Sequence, residues 1–457
     1  MTYSPENIVA NTVTVLGAGM AGSEAAWQAA ERGVHVRLFE MRPVRQTPAH
    51  TTANAAEIVC SNSFKSNHLS NASGVLKEEM RRLGSLIVSC ADETAVPAGE
   101  ALAVDREAFS ERVTQRLEAH PRIEFVRAEA DAIDTDAITV VASGPLTSDA
   151  LAASIGALTG RYDLYFYDAV APIVDAATID YTKVFRASRR GKGLEPDTGD
   201  DAAYLNCPLE RDEYETLVGE IARAEKAPMH DFEDIRYFEQ CLPVEELASR
   251  GVKTLAFGPL KPIGLTNPHT GRRPYAVVQL RQENRAGTLF NLVGFQTRLK
   301  WGEQKRIFRT IPGLENAEFA RFGVMHRNTY IHSPTLLDAT LQMRAYPKTL
   351  FAGQIVGVEG YLESAAMGVL AGINAGRLAA GGAPVVFPPD TILGALTQYV
   401  SAYEGKQFAP MNSSWGIVPP LEGDRVRDKK ERGVLMGKRA LEAFTAFAGA
   451  EGLLVPK

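Results

Sequence analysis

TVTVLGAGMAGSEAAWQAAERGVHVRLFEMRP, residues 12–43, reads as a strand, a glycine-rich turn, a helix and a second strand. Residues 13–16 are a short β-branched and apolar run of the kind that makes a buried parallel strand. Gly17 allows the tight turn, Gly19 lets the backbone approach a pyrophosphate, and Gly22 lets the helix pack close to the strand. A helix over about 21–32 offers free N–H groups and a positive dipole end to the phosphates. Gly33 caps it. Residues 34–39 rebuild a strand, and Glu40 falls at its end, where an acid bonds ribose hydroxyls. A bare GxGxxG is a weak signal. In this strand–turn–helix–strand setting, with the acid in place, it predicts a dinucleotide site.

A second stretch, TLFAGQIVGVEGYLESAAMGVLAGINAG (residues 349–376), reads as strand, glycine-rich turn and apolar helix. Gly353 and Gly357 permit close backbone approach, and a helix over 361–372 aims its N-terminus at the pyrophosphate or the flavin ring edge. Together the two motifs predict FAD held at two places by one discontinuous domain. The candidate cofactor contacts are Gly17, Ala18, Gly19, Met20, Ala21, Gly22, Glu40 and Arg42 from the first motif. The second adds Gly353, Gln354, Gly357, Glu359, Gly360 and Tyr361. The expected fold class is α/β: a Rossmann-like FAD-binding domain in two segments, 1–174 and 333–457, with an inserted α+β domain over 175–332 on the substrate side. Residues 138–142 and the following SGPLTS (143–148) read as strand, tight loop and helix start, with Ser148 or Thr147 as cap. Residues 164–174 read as the next strand and exit. A charged amphipathic helix lies within 204–224, and 275–280 and 289–295 look like antiparallel strands.

At 457 residues the chain exceeds one typical domain. No window approaches the ~18 uninterrupted apolar residues of a membrane span. The first ten residues lack the basic start and apolar core of a signal peptide. The expectation is a cytoplasmic protein with no membrane association and no evident stable protein partner. Four cysteines with no CxxC pair suggest neither a zinc site nor a disulfide framework. The net charge of −6 gives no global sign of nucleic-acid binding, but phosphate contacts come from local patches. Lys183, Arg186, Arg189, Arg190 and Lys192 lie within ten residues that contain no acid. Phe185 and Gly191 in that run favour an exposed loop that meets RNA. Arg298, Lys300, Lys305, Arg306 and Arg309 form a second cluster, with Glu303 as its only acid within the run.

Two cysteines sit in chemically suggestive surroundings. Cys60 opens CSNSFKSN (60–67), a polar run with Lys65, and a nearby cation lowers a thiol pKa. Cys241 lies in FEQCLPVEEL (238–247), where Pro243 suggests a turn. Cys90, in LIVSC, reads as a core residue, and Cys207 carries no further signal.

The strings GAGMAGSEAAWQ, FEMRP, CSNSFKSN, QCLPVEEL, GPLKPIGL, YAVVQLRQEN, GFQTRLKWGEQKRIFRTIPGLENAEFARFGVMHRNTY and FAGQIVGVEGYLESAAMGVLAGINA resemble the bacterial folate- and flavin-dependent tRNA uracil-5-methyltransferases, the TrmFO family. The resemblance runs from about residue 12 to 436. The chain is similar, less closely, to the MnmG family, which shares the flavin motifs and folate use and carries a long C-terminal extension. The resemblance implies formation of 5-methyluridine at position 54 of the tRNA T loop. It implies 5,10-methylenetetrahydrofolate as carbon donor, with tetrahydrofolate and tRNA as partners, and NAD(P)H as reductant through FAD. Uracil C5 is a poor nucleophile until a group adds at C6, and a thiolate suits that addition. The resemblance gives that role to Cys241. It makes Cys60 a second thiol beside the flavin, assisting carbon transfer or removing the C5 proton, with the division of labour open. The target uridine must turn out of its stack, so the RNA is gripped by shape and phosphates. That role falls first to the Lys183 to Lys192 cluster and second to the Arg298 to Arg309 cluster. A wobble-uridine activity like that of MnmG, an ordinary small-molecule FAD oxidoreductase, and a flavin-binding RNA protein without catalysis are the alternatives. The small-molecule oxidoreductase explains the glycine motifs but not the cysteine loops or basic clusters.

Overall fold

The computed structural model describes residues 11–47, 49–160, 164–169, 171–188, 203–227, 242–405, 408–423 and 426–455. The strand Thr12–Leu16 lies inside a six-stranded sheet. It pairs in parallel with His35–Glu40 on one side and Ile138–Val141 on the other. Ile123–Arg127 extends the sheet beyond His35–Glu40, and Tyr346–Phe351 extends it beyond Ile138–Val141, both in parallel. So the late motif returns to the sheet that the first motif begins. Val13, Val15, Val140 and Leu350 are fully buried, as expected where helices cover both faces of a parallel sheet.

The helix Met20–Glu31 packs along Tyr361–Ala379. Small residues make this approach possible. A Cβ on Gly368 would lie 2.2 Å from Ala21 O, and one on Gly372 would lie 2.4 Å from Ala25 O. Two buried carboxylates brace neighbouring helix starts, where backbone N–H groups lack partners. Glu24 accepts from Leu86 N at 3.2 Å and Ile87 N at 2.9 Å. Glu79 accepts from Ile392 N and Leu393 N, each at 2.9 Å.

A second six-stranded sheet runs Phe185–Arg186, Tyr204–Leu209, Ala276–Gln282, Leu289–Leu292, Ile173–Asp175, Phe319–Arg321, with antiparallel neighbours. It has its own core, built on Val174, Leu205, Val278, Phe290, Phe295 and Phe308. The helix Arg211–Arg223 covers it with Tyr214, Leu217, Val218 and Ile221. Leu164–Ala169 and Met325–Tyr330 form an antiparallel ribbon by which the chain leaves the first sheet and comes back. Residues 164–174 are therefore not one strand. Leu164–Ala169 belongs to the ribbon and Ile173–Asp175 to the second sheet. Pro172, which has no N–H for a ladder, falls between them. Among the described residues no helix is long and apolar enough to cross a membrane.

Candidate active site

The turn after the first strand opens onto a cleft. Gly17 has φ +99°, and a Cβ there would lie 2.7 Å from Ala142 O, so the backbones touch. At Gly19 an added Cβ would meet nothing within 4 Å, which leaves this turn open to the cleft. Gly19 is the N-cap of the helix Met20–Glu31, and no side chain caps it. Gly17, Gly19, Met20 and Ala21 line the cleft, so the first-turn N–H groups are available to an anion. Ala18 is buried behind them, and Gly22 packs on the turn: a Cβ there would lie 1.7 Å from Gly17 O.

Glu40 and Arg42 form a second wall. Glu40 accepts from Ala18 N at 3.1 Å and from Arg42 Nε at 2.8 Å. Burial pushes the Glu40 pKa up, but the Arg42 guanidinium and two backbone N–H groups outweigh it and hold it below the usual range. Arg42 also bonds Glu57 at 2.9 Å. Opposite stand Ser143, Gly144 and Thr147, with Ser148 capping the helix Asp149–Thr159 through Leu151 N. Gly353, Gln354 and Tyr361 come from the second motif. Gly357, Glu359 and Gly360 lie outside the wall. A Cβ on Gly357 would strike the Phe408 ring at 2.4 Å, and one on Gly360 the Glu363 carboxylate at 2.3 Å. A glycine cradle at a helix N-terminus, an ionised acid at the next strand end and a cleft lined by both glycine motifs fit FAD.

Val59 and Tyr361 line this cleft, and Cys60 follows. Tyr361 Oη accepts from Val59 N at 3.0 Å and Cys60 N at 2.8 Å, and lies 2.8 Å from Cys60 Sγ. With two N–H groups on the phenol oxygen, its own hydrogen is left for the sulfur. Burial, then the neighbouring Cys60, push the Tyr361 pKa well above the ordinary value, so it remains a donor. The cation at this thiol is not Lys65. Lys65 Nζ bonds Glu363 at 2.7 Å. Arg106 takes the place instead, donating to Ile58 O and, at 2.7 Å, to Cys60 O. Arg106 is in turn paired with Glu283 at 2.7 Å. From the second sheet, Arg281 donates to Asn62 Oδ1 at 2.9 Å and Ser61 Oγ at 2.7 Å. The cysteine loop is thus clamped from both bodies of the fold.

Lys77 holds the strand that follows. It is fully buried and donates to Phe64 O at 2.7 Å and Ser66 O at 2.8 Å. Burial lowers its pKa from 10.5 to about 7. Between those values the unfolded chain binds a proton that the folded chain has shed, so this group makes stability rise with pH there. Lys77→Met is expected to flatten that rise. Denaturation midpoints of both proteins between about pH 7 and pH 10 test it, and equal slopes would refute the assignment.

Cys241 lies outside the described residues. Just after it Leu242 is buried, and Pro243 begins the helix Val244–Ser249, which Glu245 ties to Thr297 Oγ1 at 2.7 Å and Arg298 N at 2.9 Å. Cys90 and Cys207 are fully buried. Burial raises both thiol pKa values, that of Cys90 to about 12.

Of the first basic cluster, Lys183 is half exposed and paired with Glu315 at 2.7 Å. Arg186 lies 5.9 Å from the Phe290 ring centre. Arg189, Arg190 and Lys192 fall outside the described residues. The second cluster meets acids remote in sequence, Arg298 with Glu246, Lys300 with Glu225 and Arg306 with Glu220, and nearer ones, Arg306 with Glu303 and Arg309 with Glu318. Its apparent excess of positive charge is largely neutralised in the fold.

The family model described as glucose inhibited division protein A matches residues 12–383. A protein of Pelotomaculum thermopropionicum named methylenetetrahydrofolate–tRNA-(uracil-5-)-methyltransferase TrmFO is 59% identical over 436 residues, 95% of this chain and 98% of that protein. Proteins of the same name from Geobacter sulfurreducens and Enterococcus faecalis are 59% and 55% identical, each over 94% of this chain and 97% of the relative. Among solved structures, two crystal forms of Aquifex aeolicus GidA align with TM-scores of 0.68 and 0.65 at 17% identity. The first alignment covers 97% of this chain and 74% of GidA. That likeness concerns the fold. The near full-length identity to the curated relatives decides the family: this chain belongs to the TrmFO methyltransferases.

Proposed function

We infer that this protein transfers a one-carbon unit from 5,10-methylenetetrahydrofolate to C5 of a uridine in tRNA, with FAD in the cleft and NAD(P)H as reductant. The relatives' name states the donor, the RNA and the position on the base. The target is uridine 54 of the T loop. The observation that carries the reading is the Cys60–Tyr361 contact at the cleft wall, because a thiol there meets both cofactor and base. FAD, when bound, supplies the reducing equivalents and the one-carbon carrier.

The chain's own groups have separate tasks. Gly17, Gly19, Met20 and Ala21 hold the pyrophosphate by backbone N–H groups. Glu40 stays ionised toward the ribose, with Arg42 keeping it in position. The Cys241 thiolate adds to uracil C6 and makes C5 nucleophilic. Cys60, with the Tyr361 hydroxyl on its sulfur, takes the C5 proton. We place the FAD-binding part in 1–174 and 333–457 and the tRNA-facing part in 175–332. That division is supported by the strands Ile173–Asp175 and Met325–Tyr330, where the chain changes sheets.

Incubation with unmodified tRNA transcript, NADPH and methylenetetrahydrofolate labelled at the methylene carbon tests the reading. Labelled 5-methyluridine in the T loop is the expected product by nucleoside mass spectrometry. Label at the wobble position, or NADPH oxidation with no label, would overturn it.

The run from Lys183 to Lys192 is our choice for the tRNA phosphates. Arg189→Ala with Arg190→Ala is expected to weaken tRNA binding and to reduce the slope of log affinity against log salt by about 1–2. Unchanged affinity at low salt would remove these residues from the interface.

A further inference from the structure

A buried carboxylate joined to Arg106 lies next to the Cys60 loop. Glu283 follows the strand Ala276–Gln282 and is 2% exposed. Its Oε2 accepts from Arg106 Nη2 at 2.7 Å and Nε at 3.1 Å. Its Oε1 is closed to solvent and meets no donor. Arg321 ends the strand Phe319–Arg321. Its backbone pairs with Ile173, but its side chain makes no hydrogen bond or ion pair among the described residues. Its guanidinium interacts electrostatically with Arg106, Tyr361, Cys60 and Glu283. Burial and the Arg106 charge both lower its pKa, so its charged form lacks full compensation.

A buried acceptor without a donor costs about 1–3 kcal/mol. A guanidinium whose charge is opposed both by burial and by the Arg106 charge is also unfavourable. One ligand that brings a donor and an acceptor side by side relieves both. A lactam edge, –NH–C(=O)–, has that pattern.

We propose that Glu283 and Arg321 read the lactam edge of the heterocycle that reacts beside Cys60, Glu283 Oε1 accepting from the ring N–H and Arg321 donating to the ring carbonyl. The proposal rests on the methyltransferase reading and deepens it, since uracil and the reduced pterin of folate both present this edge. Arg106 then has two tasks: it fixes the Cys60 loop through the Ile58 and Cys60 carbonyls and holds Glu283 with one oxygen to spare.

The test is steady-state kinetics of FAD-loaded Arg321→Gln, with tRNA and methylenetetrahydrofolate varied separately. One KM is expected to rise about ten-fold or more while the other stays within about two-fold. A rise confined to tRNA assigns the edge to uracil, and a rise confined to folate assigns it to the pterin. Glu283→Gln should move the same KM, and the double variant should lose less than the product of the two single losses. The proposal is overturned if Arg321→Gln leaves both KM values unchanged, raises both alike or lowers kcat alone. It is overturned equally if the two variants act on different substrates. Glu283→Gln also removes the partner of Arg106, so FAD content is measured beside it. Arg321→Gln, which has no such partner to lose, decides the matter if the Glu283 variant does not fold. Wild-type protein that makes no labelled 5-methyluridine would instead fail the methyltransferase reading itself.

Discussion

Cys60→Ala is expected to cut tRNA methylation by about 10²–10⁴-fold, the range for loss of a positioned acid or base, while FAD remains bound. The glycine cradle at Gly17 and Gly19, the Glu40–Arg42 pair and the Ser143–Thr147 wall do not depend on the sulfur. Its contact is with Tyr361, whose oxygen takes two backbone N–H groups and so directs its own hydrogen to Sγ. Tyr361→Phe is the graded counterpart. It leaves the sulfur but removes its donor and strands the N–H groups of Val59 and Cys60, at a cost of about 1–3 kcal/mol in stability. Its rate loss should be smaller than that of Cys60→Ala. Because the Tyr361 pKa lies well above its ordinary value, the phenol does not ionise near neutral pH, and the Tyr361→Phe defect should be constant there. The two thiols are separable by their products. With Cys241 adding to C6, Cys60→Ala still forms a covalent protein–RNA adduct but does not turn over, whereas Cys241→Ala forms none. Cys60→Ala protein that keeps a tenth or so of the wild-type rate would remove this sulfur from the proton step.

What the chain discloses on reading depends on how local the cause is. The first motif was legible because its glycines, helix and strand follow one another within a single βαβ unit. Its observed helix, Met20–Glu31, and strand, His35–Glu40, match the expected 21–32 and 34–39 to within a residue. The helix of the second motif runs on to Ala379, past the expected residue 372. Gly372 resembles a stop in sequence but is a contact point against Ala25 in the fold. A cap at Ser148 or Thr147 was readable because both precede their own helix, and the structure uses Ser148. Interactions across the chain were not readable. Lys65 looks like the neighbour of Cys60, yet its partner Glu363 is 298 residues away. The group on the Cys60 sulfur is 301 residues away. Likewise Arg298–Arg309 looked like an RNA face because its acids arrive from other parts of the chain, Glu220, Glu225 and Glu246 among them. A composition window sees charge, but only the fold shows which charges are already paired. Arg106 lay in no motif, and Glu283 lay in YAVVQLRQEN with no role suggested for it. Their significance comes from meeting each other and the cysteine loop at the junction of two sheets.

Gly368→Val is expected to abolish FAD binding and to destabilise the protein by at least about 3 kcal/mol, as overpacking against rigid backbone does at its worst. The reason is the crossing of Met20–Glu31 and Tyr361–Ala379. A Cβ on Gly368 would sit 2.2 Å from Ala21 O and 2.8 Å from Ala21 Cα. Both are backbone atoms of the first helical turn, so no flexible side chain can give way. The helix start would have to move, and with it the N–H groups of Met20 and Ala21 that face the cleft. The defect is therefore in cofactor binding as much as in stability. Gly376→Ala, two turns further along the same helix, isolates this cause. There a Cβ meets its nearest atom, Ala29 Cα, at 3.5 Å, an ordinary contact. Replacing a helix-interior glycine by alanine where space exists should leave FAD content unchanged and add up to about 1 kcal/mol of stability. Flavin absorbance per mole of protein and thermal midpoints of the two variants provide the comparison. If Gly368→Val purifies with full flavin, the close crossing of the two helices is not what holds the cofactor cradle in place. If Gly376→Ala loses its flavin as well, the helix requires glycine for a reason other than backbone contact.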